Sequence, residues 1–299
     1  MTAALLKGKP LAERIRAEVA EDVKALGSVG IVTVLVGEDP ASQVYIRLKQ
    51  EAATKAGMHA NDLRLPENIS EDDLVRRVEE ISADDEVDAL LVQLPLPRHI
   101  DEARVIRAIA PVKDVDGLHP VNAGLLFLGR PGLVGTTPVG VLAMLREHEV
   151  ELDGARAVVI GRSDIVRKPM AHLLLQQHST VTICHSHTDD LPRHTLDADV
   201  LVVAAGIPAL VSPDMVRAGG VVIDVGINRT DAGLVGDVDP GVVEVAGLMT
   251  PVPGGVGPMT IACLLQNAVL CARYRRGELA YPGGNGGNVR ALPQAGGGL

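Results

Sequence analysis

Two α/β domains with mostly parallel sheets and a cleft between them are the fold class the sequence predicts, on three observations. From Val29 onward short β-branched runs alternate with longer amphipathic stretches, in the order strand, helix, strand, helix, with few hairpin signals. The strand runs of the second half are continuous and apolar, as strands covered by helices on both faces are. The 299 residues, 46% of them hydrophobic, amount to about two domains of roughly 150 residues each and allow a sizeable core.

In the first half, strands are placed at Gly30 to Val36, His59 to Leu65 and Asp88 to Leu94. Helices lie between and after them, at Ala41 to Ala56, Glu71 to Ser82 and Glu102 to Ile109. Residues 113–140, KDVDGLHPVNAG and then GRPGLVGTTPVG, are dense in Gly, Pro, Asp and Asn. This is the expected crossing between the domains, with a cleft beside it. Strands of the second half fit Arg156 to Ile160, Val181 to Cys184, Val200 to Ala204 and Val221 to Val225. A last helix, Met259 to Arg276, follows the loop PVPGGVGP and ends in RYRR, a favourable charge for a helix C-terminus. It is expected to pack back on the first domain. The remainder, 277–299, holds 8 of the 32 glycines and reads as disordered.

Composition excludes several classes. A net charge of −10 argues against a broad nucleic-acid footprint. With no Trp, one Phe and three Tyr, base-stacking platforms are unavailable and the core falls to Ala, Val, Leu and Ile. The longest clean apolar run, Val200 to Val211, has 12 residues, short of the ~20 that cross a bilayer. No membrane role is expected. The start MTAALLKGKPLAERI lacks the features of an export signal, so the cytoplasm is the expected compartment. Cys184, Cys263 and Cys271 form no CxxC and read as buried thiols.

The most pointed motif is EDPASQVYIRLKQEA. Asp39 followed by Pro40 starts a helix, and Ser42, Tyr45 and Lys49 share one face of it. A solvated face explains this equally well until position is considered. The helix follows a strand, so its first turns stand at the carboxyl edge of the sheet, where open α/β sheets bind ligands. An amine held there in a partly dry cleft is a usable proton acceptor near neutrality, and a Tyr one turn away can orient it. Gln93, in VQLPLPRH, is either a chance polar residue at a strand stop or an amide that holds a substrate or the Lys amine. Leu94-Pro95 is a candidate cis bond. In KDVDGLHP, Asp114 reads as a turn former, whereas Asp116 reads either so or as a carboxylate that grips the edge of an amino-pyrimidine ring.

AVVIGRSDIVRKPMAHLL has the strand, glycine turn and helix order of a Rossmann-like dinucleotide-binding domain, without the GxGxxG spacing. Gly161 marks the turn. About 20 residues on, where a 2′-hydroxyl reader needs an acid, stand His185, Ser186, His187 and Thr188. With Arg162 and Ser163 in the turn, this composition favours NADP over NAD. His185 and His187 share a strand face without a third ligand, so no metal is expected. The glycines of VIDVGIN and TPVPGGVGPMT permit close backbone approach to a flat ligand.

SQVYIRLK, VQLPLP, KDVDGLHPVNAG, VVIGRSDIV, DVGIN and PVPGGVGPMT, in this order, resemble the bifunctional methylenetetrahydrofolate dehydrogenase/methenyltetrahydrofolate cyclohydrolase family, over about residues 5 to 276. The resemblance implies NADP-dependent oxidation of 5,10-methylenetetrahydrofolate, then hydrolysis to 10-formyltetrahydrofolate, in one-carbon metabolism. It implies a folate-binding catalytic domain over 1–137, completed by the helix 259–276, an NADP-binding domain over 138–258, and a homodimer through the cofactor domain. By the same resemblance Lys49 is the essential lysine, Tyr45 and Gln93 orient it, and Asp116 grips the pterin. Arg162, Ser163 and Ser186 resemble cofactor contacts, Ile227 and Thr260 line the nicotinamide end, and Pro253 and Gly255 belong to the loop facing folate. Two positions depart from the pattern. Arg167, followed by Lys168, stands where the family usually has Gly, and its bulk either clashes with the pyrophosphate or adds a phosphate contact. His187 occupies a position often held by Arg. Rival readings are another Lys-bearing dehydrogenase acting on a small acid and a cofactor-sensing protein without activity.

Overall fold

The computed structural model describes residues 2–231 and 233–284. In chain order the elements are β1 (Ala4–Leu5), α1 (Gly8–Leu26), β2 (Gly30–Val36), α2 (Pro40–Lys55), β3 (His59–Leu65), α3 (Glu71–Ala83), β4 (Ala89–Val92), α4 (Glu102–Arg107), α5 (Pro120–Phe127) and α6 (Thr136–Glu147). There follow β5 (Arg156–Ile160), α7 (Arg167–Leu175), β6 (Thr180–Cys184), α8 (Leu191–Thr195), β7 (Val200–Val203), β8 (Val221–Asp224), β9 (Asn228–Thr230), β10 (Gly233–Val235), β11 (Leu248–Met249) and α9 (Val256–Arg275).

Two parallel sheets result. One has three strands in the order β3-β2-β4, the other six in the order β1-β11-β8-β7-β5-β6. The exception to parallel pairing is the small β9–β10 hairpin, which stands apart. Ala4 and Leu5 pair with Leu248 and Met249, so the first strand of the chain belongs to the second sheet.

Why these segments take these forms is visible locally. β4 and β7 are buried throughout and β5 in every residue but Arg156, as strands covered on both faces must be. Ser70 caps α3 by accepting from the Asp73 amide, with Glu71, Asp72 and Asp73 in the first turn, where carboxylates favour the helix dipole. His119 caps α5 and Pro120 supplies its first turn.

α9 is the central post. It packs on α1, α6 and α2 and against β2 and β4. One continuous core includes Leu264 and Leu265 of α9, Val19 of α1, Leu91 of the small sheet, and Val159 and Ile223 of the large one. Each fully buried side chain of this size contributes roughly 1.5–3 kcal/mol. Among the described residues α9 has the length and hydropathy of a membrane span, yet most of it is buried inside the protein. Its last turn is tied to the first half by ion pairs from Arg273 to Asp22 and from Arg275 and Arg276 to Asp88.

The stretch after α9 departs from expectation. Tyr281 is buried, stacks edge-on against Tyr274 at 5.3 Å, and donates its hydroxyl to Asn122 Oδ1 at 2.7 Å. The glycines around it argued for disorder, but one aromatic ring seated in the hydrophobic core, with its hydroxyl bonded to Asn122, outweighs their entropy. The rest of that predicted disordered tail, 285–299, lies outside the described residues. Tyr281→Phe is expected to destabilise the fold by about 1 kcal/mol or more, because Asn122 loses its buried donor. Urea unfolding measures this, and an unchanged midpoint would refute the role.

Candidate active site

α2 follows β2, the middle strand of the small sheet, so the helix begins at the sheet's carboxyl edge. β4 ends beside it, where the Gln93 amide donates to Val34 O at 2.9 Å. These two elements bring Lys49 and Gln93 together, and Lys49 Nζ donates to Gln93 Oε1 at 3.1 Å. Gln93 Nε2 is spent on the carbonyl of Leu94 at 2.7 Å, which orients the amide with its oxygen toward the amine. Leu94-Pro95 is cis, and so is Val252-Pro253.

Asp116 reaches the same place from the crossing loop. Burial pushes its carboxyl up, and the Lys49 ammonium pulls it back part of the way. Amine, amide and carboxylate therefore converge from three segments distant in sequence. Tyr45 behaves differently. It is 41% exposed and makes no hydrogen bond to Lys49, whose oriented partner is Gln93.

The loop that carries Asp116 is pinned from both sides. Asp114 is completely buried and accepts from the His119 amide at 2.7 Å and from Asn122 Nδ2 at 2.9 Å. Burial pushes its carboxyl up to about 6, against the pull of those donors. On α9, Asn267 Nδ2 donates to the carbonyls of Val115 and Val134 at 2.8 and 2.9 Å. Sequence reading missed Asn122 and Asn267. Their signal was an amide inside an otherwise apolar helix, which a buried position must satisfy.

The large sheet presents the other wall. Gly161 follows β5 at φ +115°, a backbone that disfavours any side chain, and its amide donates to Cys184 O at 2.6 Å. Arg162 and Ser186 are exposed, and Ser163 is half-buried with its carbonyl accepting from the Lys168 amide at 3.1 Å. In the turn after β6 the His187 amide donates to His185 Nδ1 at 3.1 Å. Thr260 Oγ1 lies 3.0 Å from Thr137 Oγ1. Asp224, wholly buried, accepts from the amides of Gly226, Asp237 and Val238, which shapes the loop before Ile227. Burial outweighs those donors and pushes its carboxyl up to about 6.

Two cavities show how the walls face each other. One of about 390 Å³ is lined by Tyr45 from α2 together with Ile227, Pro253 and Gly255 from the other half. A second, about 910 Å³, is lined by Leu94, Gly117 and Leu118 on one side and by Ser163, Asp164 and Lys168 on the other. Lys49 follows Tyr45 by one helical turn, and Gln93 and Asp116 immediately precede Leu94 and Gly117. A further cavity of about 710 Å³ lies at the opposite edge of the small sheet and holds the ion pairs of Arg275 and Arg276 instead.

Residues 135–276 match the family profile described as tetrahydrofolate dehydrogenase/cyclohydrolase, NAD(P)-binding domain, and residues 6–116 match the catalytic domain of the same name. The chain belongs to the tetrahydrofolate dehydrogenase/cyclohydrolase family. The Bifunctional protein FolD of Bordetella avium is 54% identical, covering 91% of this chain and 98% of its own. That of Halothermothrix orenii is 50% identical, over 90% and 98%. The crystal structure of FolD from Campylobacter jejuni superposes with a TM-score of 0.90 at 44% identity, covering 91% of this chain and 99% of that one. The Trypanosoma brucei enzyme, complexed with NADP cofactor and inhibitor, gives a TM-score of 0.87 at 37% identity, over 94% and 100%. Membership of the tetrahydrofolate dehydrogenase/cyclohydrolase family accords with a Rossmann-like half facing a lysine-bearing half across one crevice.

Proposed function

We infer that this chain oxidises 5,10-methylenetetrahydrofolate with NADP and hydrolyses the methenyl product to 10-formyltetrahydrofolate, both in the crevice between its two sheets. The observation that carries the reading is the Lys49–Gln93 hydrogen bond with Asp116 beside it, on the wall opposite the glycine turn of the cofactor half. The strand, glycine turn and helix order around Gly161, whose φ of +115° suits glycine, supports a dinucleotide there.

Asp116 suits the amino-pyrimidine edge of the pterin, because a carboxylate accepts two parallel N–H donors. Gln93 holds the lysine amine so that it faces the same ring. Tyr45, exposed in the 390 Å³ cavity beside Pro253 and Gly255, offers a flat apolar face to the substrate. NADP, when bound, supplies the acceptor for hydride from the folate. The protein's task in that step is positioning, since the folate nitrogen lone pair itself drives hydride out. Hydration differs. Water attack releases a proton and ring opening returns one to nitrogen, and the Lys49 amine is the group placed to carry it.

Arg162 and Ser186, exposed after β5 and β6, support a reading as partners of the 2′-phosphate. Arg162→Ala is expected to raise the KM for NADP about tenfold, from loss of a charge-assisted bond, while that for NAD barely moves. Initial rates with both cofactors test it, and equal effects would sink the role. We further read the protein as a cytoplasmic homodimer joined through the cofactor half, with its product feeding purine biosynthesis; family resemblance supports this. An assay of methylenetetrahydrofolate with NADP, followed at the absorbances of NADPH and of the methenyl cation, tests the function as a whole. Absence of both signals would overturn it.

A further inference from the structure

The turn between β5 and α7 carries a cation that the steps above do not use. The side chain of Arg167, the first residue of α7, lies directly over Gly161. A Cβ built there would stand 2.6 Å from Arg167 Nε, 2.8 Å from its Cδ and 3.0 Å from the carbonyl oxygen of Ala204. The stem of Arg167 thus lies at the carboxyl end of β5, where Ala204, which follows β7, also comes close to Gly161. These adjacent strands flank the point where the order of the sheet reverses, with β6 on one side and β8 on the other. In a sheet of this type a dinucleotide crosses at that point.

Arg167 is also poorly served by its own protein. Nε is buried without a hydrogen-bond partner, and the guanidinium makes no salt bridge among the described residues. Asp237 attracts it from a distance, but its carboxylate already accepts from the amides of Ala205 and Gly206 and from Asn228 Nδ2. Lys168 next to it is paired with Asp164. At the start of α7 the Lys168 amide is given to Ser163 O, and Pro169 has no N–H to offer. An anion arriving at Gly161 therefore finds an unpaired guanidinium where other folds of this kind offer backbone N–H groups.

We propose that Arg167 is a ligand of the cofactor's pyrophosphate, donating from its guanidinium across Gly161 at the β5–β7 switch point. The inference rests on NADP binding and on nothing in the folate half. An arginine suits the task because its planar fork matches two phosphate oxygens and its charge is permanent.

The test is binding to the folate-free protein, with NADPH followed by its own fluorescence and adenosine 2′-monophosphate followed by calorimetry. Arg167→Gln is expected to weaken NADPH about tenfold or more, as loss of a charge-assisted bond does. Arg167→Lys should recover part of that loss. Adenosine 2′-monophosphate, which lacks the pyrophosphate, should bind wild type and both variants alike. NADPH binding that is unchanged or tighter in Arg167→Gln would overturn the proposal, the side chain then merely obstructing the turn. An equal loss on both probes would also overturn it, as damage to the half as a whole. Wild-type protein that binds no NADPH would overturn the cofactor reading itself, which is a different result from either.

Discussion

Lys49→Ala should reduce hydrolysis of the methenyl cation to its spontaneous rate. A positioned acid or base contributes about 10²–10⁴-fold, and among the described residues no second titratable side chain is hydrogen-bonded into the Lys49–Gln93 pair. Dehydrogenase activity should fall by less, since hydride leaves without a proton acceptor. The decay of methenyl absorbance with and without enzyme measures the first effect, and NADPH appearance the second. The fold should tolerate the change, because Lys49 is half-buried and its neighbour Gln93 keeps its bond to Leu94 O. Decay that still speeds up in proportion to added Lys49→Ala enzyme would remove Lys49 from the mechanism.

The largest loss of stability is expected far from the chemistry, at Asp88. Its side chain is only 3% exposed and accepts from Arg275 at 2.6 Å, from Arg276 at 3.0 Å and from the Gly30 amide at 2.9 Å. Asp88→Ala leaves the 15%-exposed Arg275 without that carboxylate and an amide without its acceptor. Breaking a buried pair from one side costs about 3–5 kcal/mol. Asp88→Asn should cost less, since the amide oxygen still accepts from Gly30. Denaturant unfolding of the three proteins gives the ranking. An Asp88→Ala protein within about 1 kcal/mol of wild type would show the cluster to be a surface ornament, as exposed pairs are.

The sheets were legible where the strands are long and the apolar run unbroken. β2, β3 and β5 begin and end where their sequences say. β4 is shorter than Asp88 to Leu94 suggested, because Asp88 turns aside to the arginines of α9 and Gln93 to Lys49. β1 escaped notice because two residues carry no periodicity, and the β9–β10 hairpin because three-residue strands offer little more. α1 was not placed at all, although Leu11, Ile15, Val19 and Val23 form a helical stripe in its core.

In the site, Lys49 and Gln93 were singled out because their segments end at a sheet edge and Asp116 because it stands in the crossing loop, and the fold brings the three together. Tyr45 makes no hydrogen bond to Lys49. Helical spacing placed it a turn from Lys49, but spacing on a helix does not say which way a ring leans, and it leans toward the PVPGG loop. The supports beneath Asp116, namely Asn122, Asn267 and Tyr281, come from three separate segments. Only the assembled fold reveals that they converge.

The pairing of Ala4 and Leu5 with β11, followed at once by α1 against α9, interleaves the two ends of the polypeptide with opposite halves. The strand nearest the amino terminus is stitched into the cofactor sheet, while the arginines at the end of α9 are stitched to the folate sheet. No single scission between the halves would yield two self-sufficient pieces. Any rocking that widens the crevice must bend several connections in concert, so the aperture can breathe only as far as those seams allow.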